Sequence, residues 1–151
     1  MNEKFKEIIN TFPAMIESIN DSSFITKDDF KNLPKKGIYV FYEDGLPIYV
    51  GRTNRMKNRL TEHSKQSSGH TSATFAFNLA KEKAKKTTIN LNQLRKDLED
   101  DPRFSRIYAE EKERVSKMKI KVIEIEDPIV QTLFEVYAHL ELNTQNEFEN
   151  H

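Results

Sequence analysis

The chain has 151 residues, 36% hydrophobic and 32% charged, with no cysteine and a formal net charge of zero. This length suits one main core, and without thiolates any metal must be held by oxygen or imidazole ligands. A net charge of zero argues against nucleic-acid binding through bulk positive charge, and no apolar run is long enough for a signal peptide or membrane span, which predicts a cytoplasmic protein.

The first 33 residues predict a helical extension that covers the core. Apolar residues recur there at helical spacing, and Pro13 is expected to divide the helix. The remainder of the chain, 34–151, is predicted to form the main domain.

Residues 37–51 are typical of a β-hairpin, because two runs of β-branched and aromatic residues flank an Asp-Gly turn. A two-residue loop would place Tyr39 and Tyr49 on opposite sides of the sheet. A three-residue loop, 43–45, would pair the two tyrosines directly. We favour the three-residue loop, which leaves the other face to Ile38, Val40, Tyr42, Ile48 and Val50.

A helix is predicted directly after the hairpin, with Met56 and Leu60 on its buried side. Arg55, Arg59 and His63 follow one another at four-residue intervals along a neighbouring stripe. We therefore expect these three side chains to project together.

The rest of the chain predicts three more helices, a third strand and a final helix. Asp127-Pro128 is typical of a helix start, because proline is favoured at the first helical position. Glu135 is predicted at the border of the apolar stripe of that final helix. The expected fold is α/β, with a small antiparallel three-stranded sheet flanked by helices on both faces. The predicted helices are 74–86, 91–99 and 102–116, and the predicted third strand is 118–126.

Basic residues gather in two segments of the sequence, 51–65 and 81–86, whereas no Lys or Arg follows Lys121. A solvated helix face is the ordinary explanation of one such run. If these segments instead contact phosphates, the candidate residues are Arg52, Arg55, Lys57, Lys81 and Lys83.

An ordered set of residues runs through these elements. Gly37-Ile38-Tyr39 is followed by nine residues and then by Tyr49-Val50-Gly51, and Arg59, His63, Glu135 and Asn146 come later in the chain. In this order the set resembles the GIY-YIG nuclease family, with Val50 in place of the usual isoleucine. The resemblance extends over about residues 34–148, and because residues 64–117 are longer than the compact core of the family needs, it implies a helical insertion at about 64–117.

The resemblance implies a metal-dependent endonuclease that hydrolyses phosphodiester bonds in DNA, with RNA left open as a substrate. Glu135 would hold one Mg²⁺ or Mn²⁺ ion, and Arg59 would pair with the scissile phosphate. Tyr39, together with Tyr49, would orient the attacking water or accept its proton. His63 could take that proton onward. Asn146 would maintain the geometry of the site, with Asn143 as a rival for this position.

Each of these residues also has an ordinary structural interpretation. The tyrosines are typical of half-buried strand aromatics, Arg59 of a surface ion pair with Glu62 or Glu135, and His63 of a polar surface residue. The alternative function is a catalytically silent module of the same fold that binds nucleic acid or a protein partner. Cleavage of both strands by one site would need a dimer or sequential nicks, and the oligomeric state stays open.

Overall fold

The computed structural model describes residues 1–148 and has an α/β fold built around a three-stranded antiparallel sheet. The described residues form seven α-helices besides the sheet. The chain divides into a sheet unit, formed by Met1–Lys57 and the chain from Lys119 onward, and a helical unit, Asn58–Met118. No helix in the described part of the chain has the length and apolar character needed to cross a bilayer.

The sheet unit contains the strands, the helices nearest the two ends of the chain and two 3-10 turns. Its elements, in chain order, are α1 (Glu3–Asn10), α2 (Phe12–Asp21), the 3-10 turn η1 (Lys27–Asn32), β1 (Gly37–Glu43), β2 (Leu46–Thr53), β3 (Lys119–Glu124), α7 (Pro128–Glu141) and the 3-10 turn η2 (Gln145–Glu147). The helical unit contains α3 (Met56–Ser64), which begins just before it, and then α4 (Thr74–Ala84), α5 (Arg95–Asp100) and α6 (Pro102–Ser116).

The predicted division of the N-terminal helix is confirmed. α1 ends at Asn10, and Pro13 lies in the first turn of α2, where its missing N–H costs no helical hydrogen bond. α2 buries its apolar side against β3 and α7, so it forms part of the main core of the sheet unit.

The strand order is β2-β1-β3, with β1 in the centre. Alternate residues of the strands face α2 and α7, and they form one core with Phe134 and Ala138. On the opposite face Tyr39, Phe41 and Tyr49 form a cluster of aromatic rings, all of them buried. The strand residues in the core on the helix-covered face are Ile38, Val40, Tyr42 and Val50.

The three-residue loop predicted for the hairpin is wrong. Glu43 pairs with Leu46, so the loop has two residues, and both Asp44 (φ 53°) and Gly45 (φ 79°) adopt the left-handed conformation that such tight turns require. A bulge then places one additional residue on β2, because Phe41 pairs with Tyr49 whereas Tyr42 pairs with Pro47. The bulge reverses the alternation of faces, and this brings both tyrosines to the same side of the sheet.

The helical unit has its own core between α4 and α6. Phe77 contacts the rings of Phe104 and Tyr108, and all three side chains are buried. The predicted helix at 91–99 is shorter than expected, because α5 begins at Arg95. The backbone N–H of Asn92 donates to the Asn90 side chain at 2.9 Å, and this local turn competes with helix formation.

Candidate active site

The two tyrosines of the ordered set lie diagonally on one face of the hairpin. Tyr39 in β1 is opposite Gly51, and Tyr49 in β2 is opposite Phe41, so the expected direct pairing of the tyrosines is wrong. Their ring centroids are 6.2 Å apart with an interplanar angle of 38°. Both tyrosines are buried, more deeply than half-buried strand aromatics would be.

The Tyr39 ring extends across the neighbouring strand. A Cβ built on Gly51 would lie 2.3 Å from the Tyr39 hydroxyl oxygen and 2.3 Å from Cζ, so the ring occupies the space that any larger residue would need. Because β2 is an edge strand, this arrangement carries the hydroxyl toward the outer edge of the sheet. Gly51 is therefore required by the position of Tyr39.

Glu135 lies on the other side of the same strand segment, on α7. It is only 5% exposed, and its Oε2 lies 3.1 Å from Arg52 Nε in an ion pair. Arg52 directly follows Gly51, so the Tyr39 hydroxyl and the Glu135 carboxylate lie on the two sides of residues 51–52 of the edge strand. Glu135, which the sequence places at the border of the apolar stripe of its helix, is therefore buried.

A ladder of polar contacts, which we call the α7–β2 ladder, holds Glu135 in place. Three buried residues of α7, spaced by four, meet three residues of β2 and its extension, spaced by two. Four residues of helix advance about 6 Å and two residues of strand about 6.6 Å, so the two repeats stay in register. The contacts are Gln131 Nε2 to Asn54 Oδ1 (3.2 Å), Glu135 to Arg52 (3.1 Å), and the His139 ring to the backbone of Val50.

His139 connects this ladder to the segment that follows α7. Its Nδ1 lies 2.8 Å from the Thr144 hydroxyl and 3.0 Å from the Thr144 carbonyl oxygen. Burial lowers the pKa of His139, although the hydrogen bonds to the backbone of Thr144 and Val50 act in the opposite direction. The imidazole is therefore a neutral structural connector near neutral pH.

The structure gives the two candidate asparagines different positions. Asn143 has a left-handed backbone (φ 57°) and ends α7: Asn143 N–H donates to Leu140 O and Thr144 N–H to His139 O, a standard helix-terminating pattern. Asn146 is exposed and lies in η2, which packs against β2.

Arg59 and His63 lie on α3. The Arg59 guanidinium donates to Ser72 O (2.8 Å) and Thr74 Oγ1 (2.9 Å), and it also contacts Glu62 (3.3 Å), so its plane is fixed. His63 is completely buried, and burial followed by the charge of Arg59 lowers its pKa well below 6.5. The expectation that His63 is a surface residue is wrong. Arg55 precedes the first residue of α3, so it does not share the helical stripe with them.

The basic residues predicted to contact phosphates occupy different surroundings. Lys83 forms an ion pair with Glu111, a completely buried carboxylate that also contacts Arg114 at 3.2 Å. Arg52 is paired with Glu135, as described above. Arg55 and Lys57 are exposed, and Lys81 is half-buried.

Comparison with known proteins gives the family. Residues 35–123 match the family described as the GIY-YIG catalytic domain. This chain belongs to the GIY-YIG family. UvrABC system protein C of Deinococcus radiodurans is 41% identical to it over 39 residues, which are 25% of this chain and 6% of that protein. No solved structure matches the chain.

The family match covers part of the candidate site. Tyr39, Tyr49, Arg59 and His63 lie within 35–123, whereas Glu135 and Asn146 lie beyond it. GIY-YIG proteins form a nuclease family, so this chain belongs to a family of nucleases.

Sequence reasoning missed the partners of Glu135. Among the predicted site residues Arg52 appears only as a phosphate contact, and Gln131 and His139 do not appear. A signal was present in the sequence: Gln131, Glu135 and His139 recur every four residues in a mostly apolar helix, which indicates a polar stripe facing a partner.

Proposed function

We propose that this GIY-YIG protein is a divalent-metal-dependent endonuclease that hydrolyses phosphodiester bonds in DNA. The observation that carries the proposal is the placement of a buried carboxylate, Glu135, against the edge-strand segment that the Tyr39 ring crosses on the other side. A buried carboxylate and a phenol on the two sides of the same edge-strand segment have no evident need in a binding module.

The chemistry of Glu135 fits a divalent ion. Carboxylate oxygens are suitable ligands for Mg²⁺ and Mn²⁺, which retain water molecules and substrate oxygens in their other positions. No group of three or more His, Asp or Glu side chains that could hold a metal occurs in residues 1–148, so a site centred on one carboxylate is the form proposed. Bound there, the ion would stabilise negative charge on the phosphate and the leaving oxygen.

We assign Arg59 to the scissile phosphate. Its bonds to Ser72 and Thr74 fix the guanidinium plane, and a fixed planar fork can pair with two phosphate oxygens without losing further side-chain entropy. The charge does not titrate near neutral pH, so this contact would be available throughout the working range of the enzyme.

The hydroxyl of Tyr39 is proposed to orient the attacking water and to accept its proton, while Tyr49 packs beside the Tyr39 ring and supports its orientation. His63 stays neutral because its pKa is lowered, so we propose that it acts through hydrogen bonding and not as a charged acid. We propose Asn146 for the family asparagine, because Asn143 is engaged in ending α7.

The helical unit is proposed to supply the general affinity for DNA. Lys and Arg outnumber Asp and Glu within Asn58–Met118, and since the whole chain has a net charge of zero, the sheet unit is net acidic. Contacts of Lys and Arg with phosphates position a protein on a duplex without reading its sequence. The proposed cationic contributors are Lys81 and Lys83 in the helical unit, together with Arg55 and Lys57 in the last residues of the first sheet-unit segment.

The test is cleavage of supercoiled plasmid by purified protein with Mg²⁺ or Mn²⁺. A circular substrate has no ends, so nicked or linear product reports an endonuclease. Glu135→Gln removes the carboxylate charge, and Glu141→Gln, which alters an exposed residue on the same helix, is the matched control. An EDTA sample tests the need for metal, and a labelled RNA tests the alternative substrate.

We expect cutting by the wild type and by Glu141→Gln, and a loss of at least about 1,000-fold in Glu135→Gln with retained DNA binding. Equal cutting by Glu135→Gln would contradict the assigned metal ligand. DNA binding by folded wild-type protein without cutting under either metal would favour the silent binding module.

A further inference from the structure

The ion pair between Arg52 and Glu135 joins an almost fully buried side chain to a partly exposed one. The side chain of Glu135 is 6% exposed and that of Arg52 is 32% exposed. A buried carboxylate is costly unless a positive charge compensates it. Arg52 supplies that positive charge, with its Nε 3.1 Å from Glu135 Oε2, and a divalent ion bound to the carboxylate would compensate the same charge.

We propose that Arg52 is a positioning residue that substitutes for the metal charge at Glu135, weakens metal binding in the free enzyme, and is drawn away when a nucleic-acid phosphate arrives. This inference rests on the proposed function. It deepens that function by assigning an order of events: phosphate binding by Arg52 promotes metal binding by Glu135.

Electrostatics gives the sign of the effect. A guanidinium and a divalent cation near one carboxylate repel each other, and at separations of about 5 Å this repulsion corresponds to an affinity change of about ten-fold or more. A phosphate that pairs with Arg52 removes the repulsion. By linkage, the bound metal must then strengthen phosphate binding by the same factor.

The α7–β2 ladder allows Arg52 to leave without displacing the carboxylate. Gln131 is held by Asn54 and by Ile125 O at 2.7 Å, one turn before Glu135. His139 is held by Thr144 and Val50, one turn after it. Because both neighbouring turns of the helix are fixed, the backbone that carries Glu135 stays in place.

The test measures the melting temperature against Mn²⁺ concentration, without nucleic acid, in wild type, Arg52→Gln, Arg52→Lys and Glu135→Gln. A ligand that binds the folded state raises the melting temperature according to its affinity. We expect Arg52→Gln to melt at a lower temperature without metal. Its response to Mn²⁺ should be larger than that of the wild type and half-complete at an about ten-fold lower concentration.

The two other variants test whether the change in the Mn²⁺ response depends on the positive charge of residue 52 and on the carboxylate of Glu135. Arg52→Lys keeps the charge and should respond as the wild type does, whereas Glu135→Gln, alone or combined with Arg52→Gln, should lose the specific response. If Arg52→Gln has no cooperative transition without metal, Mn²⁺ should restore one, and failure to restore it would overturn the proposal.

An equal or weaker Mn²⁺ response in Arg52→Gln than in wild type also overturns the proposal. The plasmid assay separates this failure from that of the proposed function. A wild type that cuts DNA while Arg52→Gln binds Mn²⁺ no more tightly leaves the nuclease standing and removes the role of Arg52. If Arg52→Gln binds Mn²⁺ more tightly than the wild type but the wild type does not cut DNA, the role of Arg52 stands and the proposed nuclease function fails.

Discussion

The Tyr39 ring lies across the backbone of Gly51, so that a Cβ on residue 51 would approach the phenol oxygen to 2.3 Å. The two halves of the family signature are thus coupled sterically. The tyrosine of the first half requires the glycine of the second, and the glycine determines how far the hydroxyl reaches toward the edge of the sheet.

Gly51→Ala should displace the Tyr39 ring, because the added methyl group and the phenol cannot occupy the same space. We expect plasmid cleavage to fall on the order of 100-fold, as misplacement of a catalytic group by about 1 Å commonly does. Gly45→Ala is the matched control: its Cβ meets open space, but its φ of 79° is unfavourable for alanine. It should lose about 1 kcal/mol of stability and keep its activity. Equal activity in the two variants would contradict the coupling.

Arg59→Lys should impair both the helical unit and the reaction. Lysine cannot reproduce the two-pronged contact with Ser72 O and Thr74 Oγ1, and it offers a point charge where a fork is needed. We expect cleavage to fall by about 100-fold or more, with a loss of about 1–2 kcal/mol in the free energy of unfolding. Arg103→Lys, at an exposed position of the same unit, should change neither quantity appreciably. A fully active Arg59→Lys enzyme would remove Arg59 from phosphate binding.

The stability of the protein should decrease as the pH falls below about 6.5. The pKa of His63 is well below 6.5 in the folded state, so the unfolded chain binds a proton first as the pH is lowered. The free energy of unfolding is therefore fully present above pH 6.5 and falls toward the folded pKa, by up to about 1.4 kcal/mol per pH unit for each histidine. His139 acts in the same direction because its pKa is also lowered.

Urea denaturation at about pH 7.5 and about pH 5 measures this dependence. His63→Gln should show a smaller loss between the two conditions than the wild type, and His63→Gln combined with His139→Gln a smaller loss still. Identical losses in all three proteins would mean that neither histidine is held neutral by the fold.

Lys83→Met should destabilise the protein although Lys83 was predicted to contact phosphates. Its ammonium compensates the completely buried Glu111, so its removal leaves that carboxylate with less positive charge nearby. We expect a loss of about 1–3 kcal/mol in the free energy of unfolding. Lys85→Met removes the same charge from a pair whose side chains are both more than 60% exposed, and should cost less than about 0.5 kcal/mol.

DNA binding by these two variants separates structure from recognition. Each loses one positive charge, so fluorescence anisotropy at low salt should show similar small losses of affinity. A much larger loss of DNA affinity in Lys83→Met than in Lys85→Met, with unchanged stability, would indicate that Lys83 contacts phosphate.

The hairpin prediction is correct in placing both tyrosines on one face of the sheet but wrong about the length of the loop. The sequence favours a three-residue loop, which would place Tyr39 and Tyr49 on the same side of the sheet. The structure has a two-residue loop and a one-residue bulge, and together they shift the alternation of faces along β2 as a three-residue loop would. Bulge position depends on packing against the rest of the sheet, so local residue preferences did not reveal it.

The sequence by itself determined the hairpin, the helices that begin at Asp-Pro pairs, and the family signature, because turns, caps and strand alternation depend on residues close together in the chain. Only the tertiary structure decided that Glu135 and His63 are buried and that Arg52 pairs with Glu135. Residues 52 and 135 meet because a helix with a four-residue polar repeat packs on a strand with a two-residue repeat. No local pattern specifies which helix packs on which strand, so this contact depends on the fold as a whole.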